Sequence, residues 1–232
     1  MDQARQAPLK LVMFDLDGTL IETGVEITNA VNDTLTELGH VPVSLTQVTG
    51  WIGAGATELL ITALAHSTGT GHDQVRVSEQ LAPAKKLLEQ HYSRRSGTGS
   101  SLYPKVREVL TALRKQGVKL AIVTNKDMRY TEIVLEAHAL TDMVDLVIGG
   151  DTMPAKKPDP AGILHCLQHF GVAPDQALFV GDSSIDAATA RNAGVPVWLL
   201  PYGYNMNQDV RNCAPDRVID DISALLEDSS NQ

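Results

Sequence analysis

The chain has 232 residues, a formal net charge of −9 and a pI near 5.2, which fits one large domain or a core carrying an insertion. The acidic balance argues against nucleic acid and anionic membrane surfaces as partners, so an anionic substrate must be held by local positive charge. With 43% hydrophobic but only 4% aromatic residues, the expected core is aliphatic.

In chain order, the opening MDQARQAPLK has no apolar stretch of signal-peptide type. Leu11–Phe14 is the first strand-length aliphatic run and leads into Asp15-Leu16-Asp17-Gly18-Thr19. Residues 21–100 then contain no strand-like run. Their spacing predicts helices over Glu26–Leu38, Ala56–Ala65 and Val75–Tyr92, closed by the flexible composition SGTGSS at Ser96–Ser101. A stretch this long is no simple crossover, and it reads as an inserted helical cap domain. Residues 1–20 and 101–232 then form the catalytic core. Within the core, strand-length runs at Leu120–Val123, Leu146–Ile148, Ala177–Val180 and Val195–Leu200 alternate with helical stretches. The helices are Val106–Gln116, Tyr130–His138, Ala161–Phe170 and Ile185–Ala193, three of them stopped by Gly117, Gly171 and Gly194. The strand runs are continuous rather than alternating, as parallel strands covered on both faces require. The fold class is therefore α/β, a doubly wound, Rossmann-like parallel sheet with an α-helical insertion.

No apolar run approaches the ~18 residues needed to span a bilayer. The cysteines, Cys166 and Cys213, show no CxxC spacing, which points to reduced thiols in a cytoplasmic protein. The histidines show no ligand spacing with carboxylates and read as structural or surface residues.

In a doubly wound sheet, ligands bind outside the carboxyl ends of the strands. Three polar clusters directly follow predicted strands, Asp15 to Thr19, Thr124-Asn125-Lys126 and Gly181-Asp182-Ser183-Ser184-Ile185-Asp186, and a fourth, Lys156-Lys157-Pro158-Asp159-Pro160, lies between the third and fourth strands. One Asp pair alone is no more than a cap or turn, but four clusters converging on one sheet edge describe a site. Asp15, Asp17 and Asp182 crowd together, which disfavours their ionisation unless a hard cation sits among them; magnesium fits best. One carboxylate is then free to attack an electrophile, and phosphorus is the natural one. Thr124 can donate to a phosphoryl oxygen, and Lys157 supplies a fixed positive charge.

DLDGT, the strand-end Thr-Asn, KKPDP and GDSSID, in this order, resemble the four motifs of the haloacid dehalogenase superfamily across essentially the whole chain. The helical insertion resembles that superfamily's α-helical cap. The resemblance implies that Asp15 is a nucleophile forming an aspartyl-phosphate. It makes Asp17 the acid for the leaving alcohol and then the base for water, with its backbone carbonyl a metal ligand. It further implies that Thr124 binds phosphate, Lys157 neutralises charge, Asp15 and Asp182 ligate magnesium, and Asp186 holds the metal's water shell or orients Lys157. Because a halide leaves without protonation and an alkoxide does not, Asp17 favours phosphate ester hydrolysis over dehalogenation.

The turn Trp51-Ile52-Gly53-Ala54-Gly55-Ala56 joins two cap helices, and Gly53 and Gly55 would let backbone N–H groups approach a small anion. This turn, Tyr202-Gly203-Tyr204-Asn205 and Asp216–Leu226 resemble bacterial phosphoglycolate phosphatases of that superfamily, which more often carry Asn in place of Ala54. Hydrolysis of 2-phosphoglycolate is thereby implied. Another small ester, such as a sugar phosphate or pyrophosphate, and a phosphosugar mutase remain open as alternatives. Asn125 and Lys126 are expected on the substrate with Thr124 and Lys157. Arg129 is expected near the site, whereas Arg76, Lys85, Lys86, Arg94, Arg95 and Lys156 read as a solvated face. The expected partner is a small phosphate ester rather than nucleic acid or membrane, and the expected state is monomer or homodimer.

Overall fold

The computed structural model describes residues 8–229, so residues 1–7 of the opening stretch read as leaderless lie outside the described residues. From the N-terminal side run strand β1 (Leu11–Phe14) and the short strand β2 (Ile21–Glu22). Five helices follow: α1 (Gly24–Glu37), α2 (Leu45–Thr49), α3 (Ala56–Thr68), α4 (His72–Arg76) and α5 (Leu81–Arg95). Strand β3 (Ser101–Leu102) returns antiparallel to β2, so a two-residue ribbon stands where the chain leaves and re-enters the sheet-bearing part. Next come α6 (Val106–Lys115), β4 (Lys119–Val123), α7 (Met128–Ala137), β5 (Leu146–Ile148) and α8 (Ala161–Phe170). The chain closes with β6 (Ala177–Gly181), α9 (Ser184–Ala193), β7 (Val197–Leu199), β8 (Arg217–Val218) and α10 (Ala224–Ser229).

Six strands form one parallel sheet in the order β5-β4-β1-β6-β7-β8. Every residue of β1 is buried, because the strand's alternating side chains enter two different cores. Val12 and Phe14 join Val109, Leu110 and Leu113 of α6 and Val134 of α7. Leu11 and Met13 join Ile163 and Cys166 of α8 and Ala187 and Ala190 of α9. The chain moves from β1 outward to β4 and β5, then crosses back to β6 on the other side of β1. That reversal opens a crevice at the carboxyl ends of β1, β4 and β6.

Helices α1–α5 carry a third apolar cluster that includes Ile27, Val31, Leu35, Leu60, Leu64 and Leu88, with Tyr130 and Tyr204 reaching into it from beyond the helical layer. The single helix expected over Val75–Tyr92 is two, α4 and α5, broken at residues 77–80. Pro83 explains the break: it lacks an N–H and clashes with the preceding turn, so it fits only in a first helical turn, where α5 places it. The expected flexible linker Ser96–Ser101 is pinned. Gly97 N donates to Glu26 Oε2 at 2.8 Å, Ser96 Oγ donates to Tyr92 O at 2.8 Å, and Ser100 Oγ pairs with His138 Nε2 at 2.8 Å. Among the described residues no helix is long and apolar enough to cross a membrane.

Candidate active site

The loop after β1 begins while still paired to the sheet, with Asp15 N donating to Val180 O at 2.9 Å. It turns at once, Gly18 N and Leu20 N donating to Ile21 O and Leu16 O at 2.9 and 3.0 Å. Gly18 has φ +86°, and a Cβ there would collide with the Asp182 carboxylate and the Tyr204 ring. Glycine is therefore required by both dihedral and space. The turn leaves Asp15 and Asp17 at the crevice on separate partners.

Asp15 faces Lys157, whose Nζ stands 2.9 Å from Asp15 Oδ1 and donates to Asp186 Oδ1 at 2.7 Å. Burial pushes the Asp15 carboxyl up to about 6, against the opposing pull of Lys157. Burial drives Lys157 the other way, but the two carboxylates outweigh it and keep the ammonium charged. Asp186 is itself fixed: its Oδ2 accepts from the backbone N–H groups of Asp182 and Ser183, both at 3.1 Å, and from Ser183 Oγ at 2.7 Å. The Ser183 N bond and the return bond from Asp186 N to Ser183 Oγ at 3.3 Å form the capping box of α9, so the helix start that aims Asp186 also sets Asp182. Asp182 is 1% exposed. Burial, then Asp186 and Asp15, hold its carboxyl well above the usual range.

Asp15, Asp182 and Asp186 each bring one carboxylate oxygen within 4.8 Å of the others. Three converging oxygen donors, buried and short of compensating charge, suit a hard divalent cation. The carboxylate of Asp17, expected in this set, is engaged elsewhere: it accepts from Thr23 Oγ1 at 2.8 Å and pairs with Lys126 Nζ at 3.0 Å.

After β4, Thr124 is buried, and its Oγ1 accepts from Lys126 N at 3.2 Å. Asn125 binds the loop that carries Lys157 from both ends: its Oδ1 accepts from Lys157 N at 2.8 Å and its Nδ2 donates to Lys157 O at 3.0 Å. The same Nδ2 donates to Gly53 O at 2.9 Å, which ties the turn between α2 and α3 to the sheet edge. Lys126 is buried; its Nζ donates to Tyr92 Oη at 3.1 Å as well as to Asp17. Burial lowers its basicity, yet Asp17, Tyr92 and Glu26 together raise it above the ordinary lysine range.

Asp15, Asp17, Gly53, Gly55, Thr124, Asn125, Lys126 and Asp182 line one cleft, the kind of concave place small-molecule sites occupy. Lys157 and Asp186 stand behind Asp15 rather than on the cleft wall. The opposite wall is Ile27, Ile52, Ala56, Leu59, Tyr92 and Tyr130. Arg129 does not line the cleft; it stacks on Tyr130 at 4.5 Å and lies 3.5 Å from Glu89. Arg76, Arg95 and Lys156 pair with Glu58, Asp33 and Asp127 on the exterior. Sequence reasoning missed Tyr92 and Tyr130, whose helices give no local signal, and gave no role to Thr19 of the first cluster, which donates to Asp182 Oδ1 at 2.8 Å.

The model of the haloacid dehalogenase-like hydrolases matches residues 12–200, and the chain belongs to that family. A phosphoglycolate phosphatase of Pseudomonas putida is 43% identical over 217 residues, 94% of this chain and 78% of its own. One of Nitrosospira multiformis is 39% identical over 226 residues, 96% and 98% of the two chains. The crystal structure of a predicted phosphoglycolate phosphatase from Haemophilus somnus superposes with a TM-score of 0.88 at 32% identity, covering 98% of this chain and all of its own.

Proposed function

We propose that the protein is a magnesium-dependent phosphatase that hydrolyses 2-phosphoglycolate to glycolate and phosphate, acting in the cytoplasm as a monomer or homodimer. The observation that carries the reaction is Asp15, a carboxylate at the cleft backed by a buried lysine. The relatives named for phosphoglycolate carry the substrate.

A carboxylate oxygen of Asp15 attacks phosphorus, the ester P–O bond breaks, and an aspartyl-phosphate forms on Asp15. Asp17 gives its proton to the departing glycolate oxygen. It then takes one from the water that attacks the aspartyl-phosphate, which releases phosphate and frees Asp15. Thr124, Asn125 and nearby backbone N–H groups hold the phosphoryl oxygens, and Lys157 offsets their charge. Asp15, Asp182 and the Asp17 carbonyl would hold magnesium, with Asp186 behind them; the ion supplies charge neutralisation for the phosphoryl group. Lys126, paired with Asp17 across the cleft, is the one described cation on the cleft wall and meets the anionic substrate there.

Residues 21–100 act as a cap over the 1–20 and 101–232 core, with the β2–β3 ribbon at its base and Gly53 and Gly55 facing the substrate. Capping excludes bulk water while the phosphoenzyme exists. Steady-state kinetics with magnesium over a panel of small phosphate esters test the assignment. The highest kcat/KM is expected for 2-phosphoglycolate, with stoichiometric phosphate release. A sugar phosphate or pyrophosphate turned over far better, or product isomerisation without phosphate release, would refute it.

A further inference from the structure

The turn after β7, Tyr202-Gly203-Tyr204-Asn205, takes no part in the chemistry above, yet each of its residues is fixed to something that does. Tyr202 Oη donates to Thr19 O at 3.1 Å, in the loop that carries Asp15 and Asp17. At Gly203 the backbone lies so close to the Asp182 carboxylate and to Gly18 O that a Cβ has no room. Tyr204 N donates to Asp182 Oδ2 at 2.5 Å. Asn205 Oδ1 accepts from Ser184 N at 2.8 Å, at the first residue of α9.

The far end of Tyr204 reaches the other side of the site. Its phenol oxygen accepts from Thr23 N at 3.0 Å and Gly24 N at 2.7 Å, and donates to Glu22 Oε1 at 2.8 Å. Glu22 ends β2 and Gly24 begins α1, so these three residues are the point where the chain enters the helical layer. Thr23 is also the residue whose hydroxyl donates to Asp17. The ring itself is 8% exposed and packs in the apolar cluster of α1–α5. One residue thus spans the site, its backbone N–H on a metal-facing carboxylate and its phenol at the base of the helical layer. Its hydroxyl accepts from both of these N–H groups at the start of α1, and Gly24 N also donates to Glu22 Oε1 at 3.0 Å.

We propose that Tyr204 is a positioning residue that couples the placement of Asp182, and with it metal binding, to the conformation of the β2–α1 entry at Glu22–Gly24. Such a residue acts on the metal from behind its ligand, as outer partners of metal ligands do. Because the coupling is reciprocal, whatever steadies Asp182 also steadies the entry.

The inference rests on the metal reading of Asp15 and Asp182 but needs no substrate. Two measurements on the full chain without substrate test it. Titration calorimetry with Mn²⁺ should give a Kd about 10-fold weaker for Tyr204→Phe than for the wild type, because the ring remains and only the hydroxyl is lost. Hydrogen exchange of the wild type should show the Thr23 and Gly24 amides slowed when Mn²⁺ is added, an effect absent in Tyr204→Phe. Wild-type affinity in that variant, or exchange at Thr23 and Gly24 indifferent to Mn²⁺ in the wild type, would overturn the coupling alone and leave Tyr204 as a packing residue. Absence of saturable Mn²⁺ binding in the wild type would overturn the metal assignment and the coupling together. Should Tyr204→Phe fail to fold, the exchange experiment on the wild type still decides.

Discussion

On the sheet side of the cleft, Asp15, Lys157, Asp186 and Asp182 are buried charges in fixed mutual contact, aimed by strand ends and by the start of α9. On the helical side, Ile27, Ile52, Ala56 and Leu59 offer a mostly apolar wall, with polar ties across the gap that include Asn125 to Gly53, Lys126 to Tyr92 and Thr23 to Asp17. The two walls divide the labour. Charged groups that must act on phosphorus need rigid, preorganised support, which backbone pairing on both flanks of β1 provides. A wall that must admit and release substrate is better made of helices joined by few directional bonds, because few bonds then have to break when it moves.

The comparison is broken most severely on the sheet side. Asp15→Asn keeps the size and shape of the side chain but removes the nucleophile, and kcat should fall on the order of 10⁴-fold or more with the circular dichroism spectrum unchanged. Substantial residual turnover would move the chemistry away from Asp15.

A second sheet-side effect is a pH dependence of metal affinity. Burial holds the Asp15 carboxyl up at about 6, so below that pH a proton occupies the oxygen the metal needs. Mn²⁺ or Mg²⁺ binding, measured without substrate, should weaken as pH falls through about 6, by up to about tenfold per unit from this group, and the raised Asp182 carboxyl adds to the same trend. Affinity that stays flat between about pH 5 and 7 would show that Asp15 is not a ligand.

The helical side should give the smallest response. Tyr92→Phe removes the hydroxyl that accepts from Lys126 and leaves the ring edge-on to Tyr130 at 4.3 Å. One lost hydrogen bond to a charged donor predicts a decrease of about 10- to 100-fold in kcat/KM, far smaller than at Asp15. A loss as large as that of Asp15→Asn would mean that the helical wall takes part in the chemistry itself.

The sheet was legible because strands buried on both faces must be continuously aliphatic, and Leu11–Phe14 and Ala177–Val180 are. The two-residue strands β2 and β3 were not, since so short a ribbon has no periodicity. The gap between α4 and α5 was hidden by apolar spacing that continues across it; Pro83 was the signal, and its consequence depends on where the next helix starts. Asp15, Asp17, Thr124 and Asp182 stood out because each follows a strand, and Lys157 because it directly precedes the proline of KKPDP. What they touch did not. That Lys126 turns to Asp17 and Tyr92 depends on how α5 lies over the sheet edge. Likewise, Asp186 rather than the Asp17 carboxylate completes the cluster because a capping box fixes the start of α9. Tyr202 to Asn205 was conspicuous in sequence, but its partners at Asp182 and Glu22–Gly24 lie about 20 and 180 residues away and meet only once the parallel sheet is assembled.

The central claim is that phosphate passes through Asp15. Rapid acid quench of the wild type during turnover of 2-phosphoglycolate with magnesium, followed by peptide mass spectrometry, tests it most directly. The account predicts a phosphorylated peptide with the modification on Asp15, and retention of configuration at phosphorus. Phosphate on another residue, or no covalent intermediate together with inversion of configuration at phosphorus in the wild type, would contradict it.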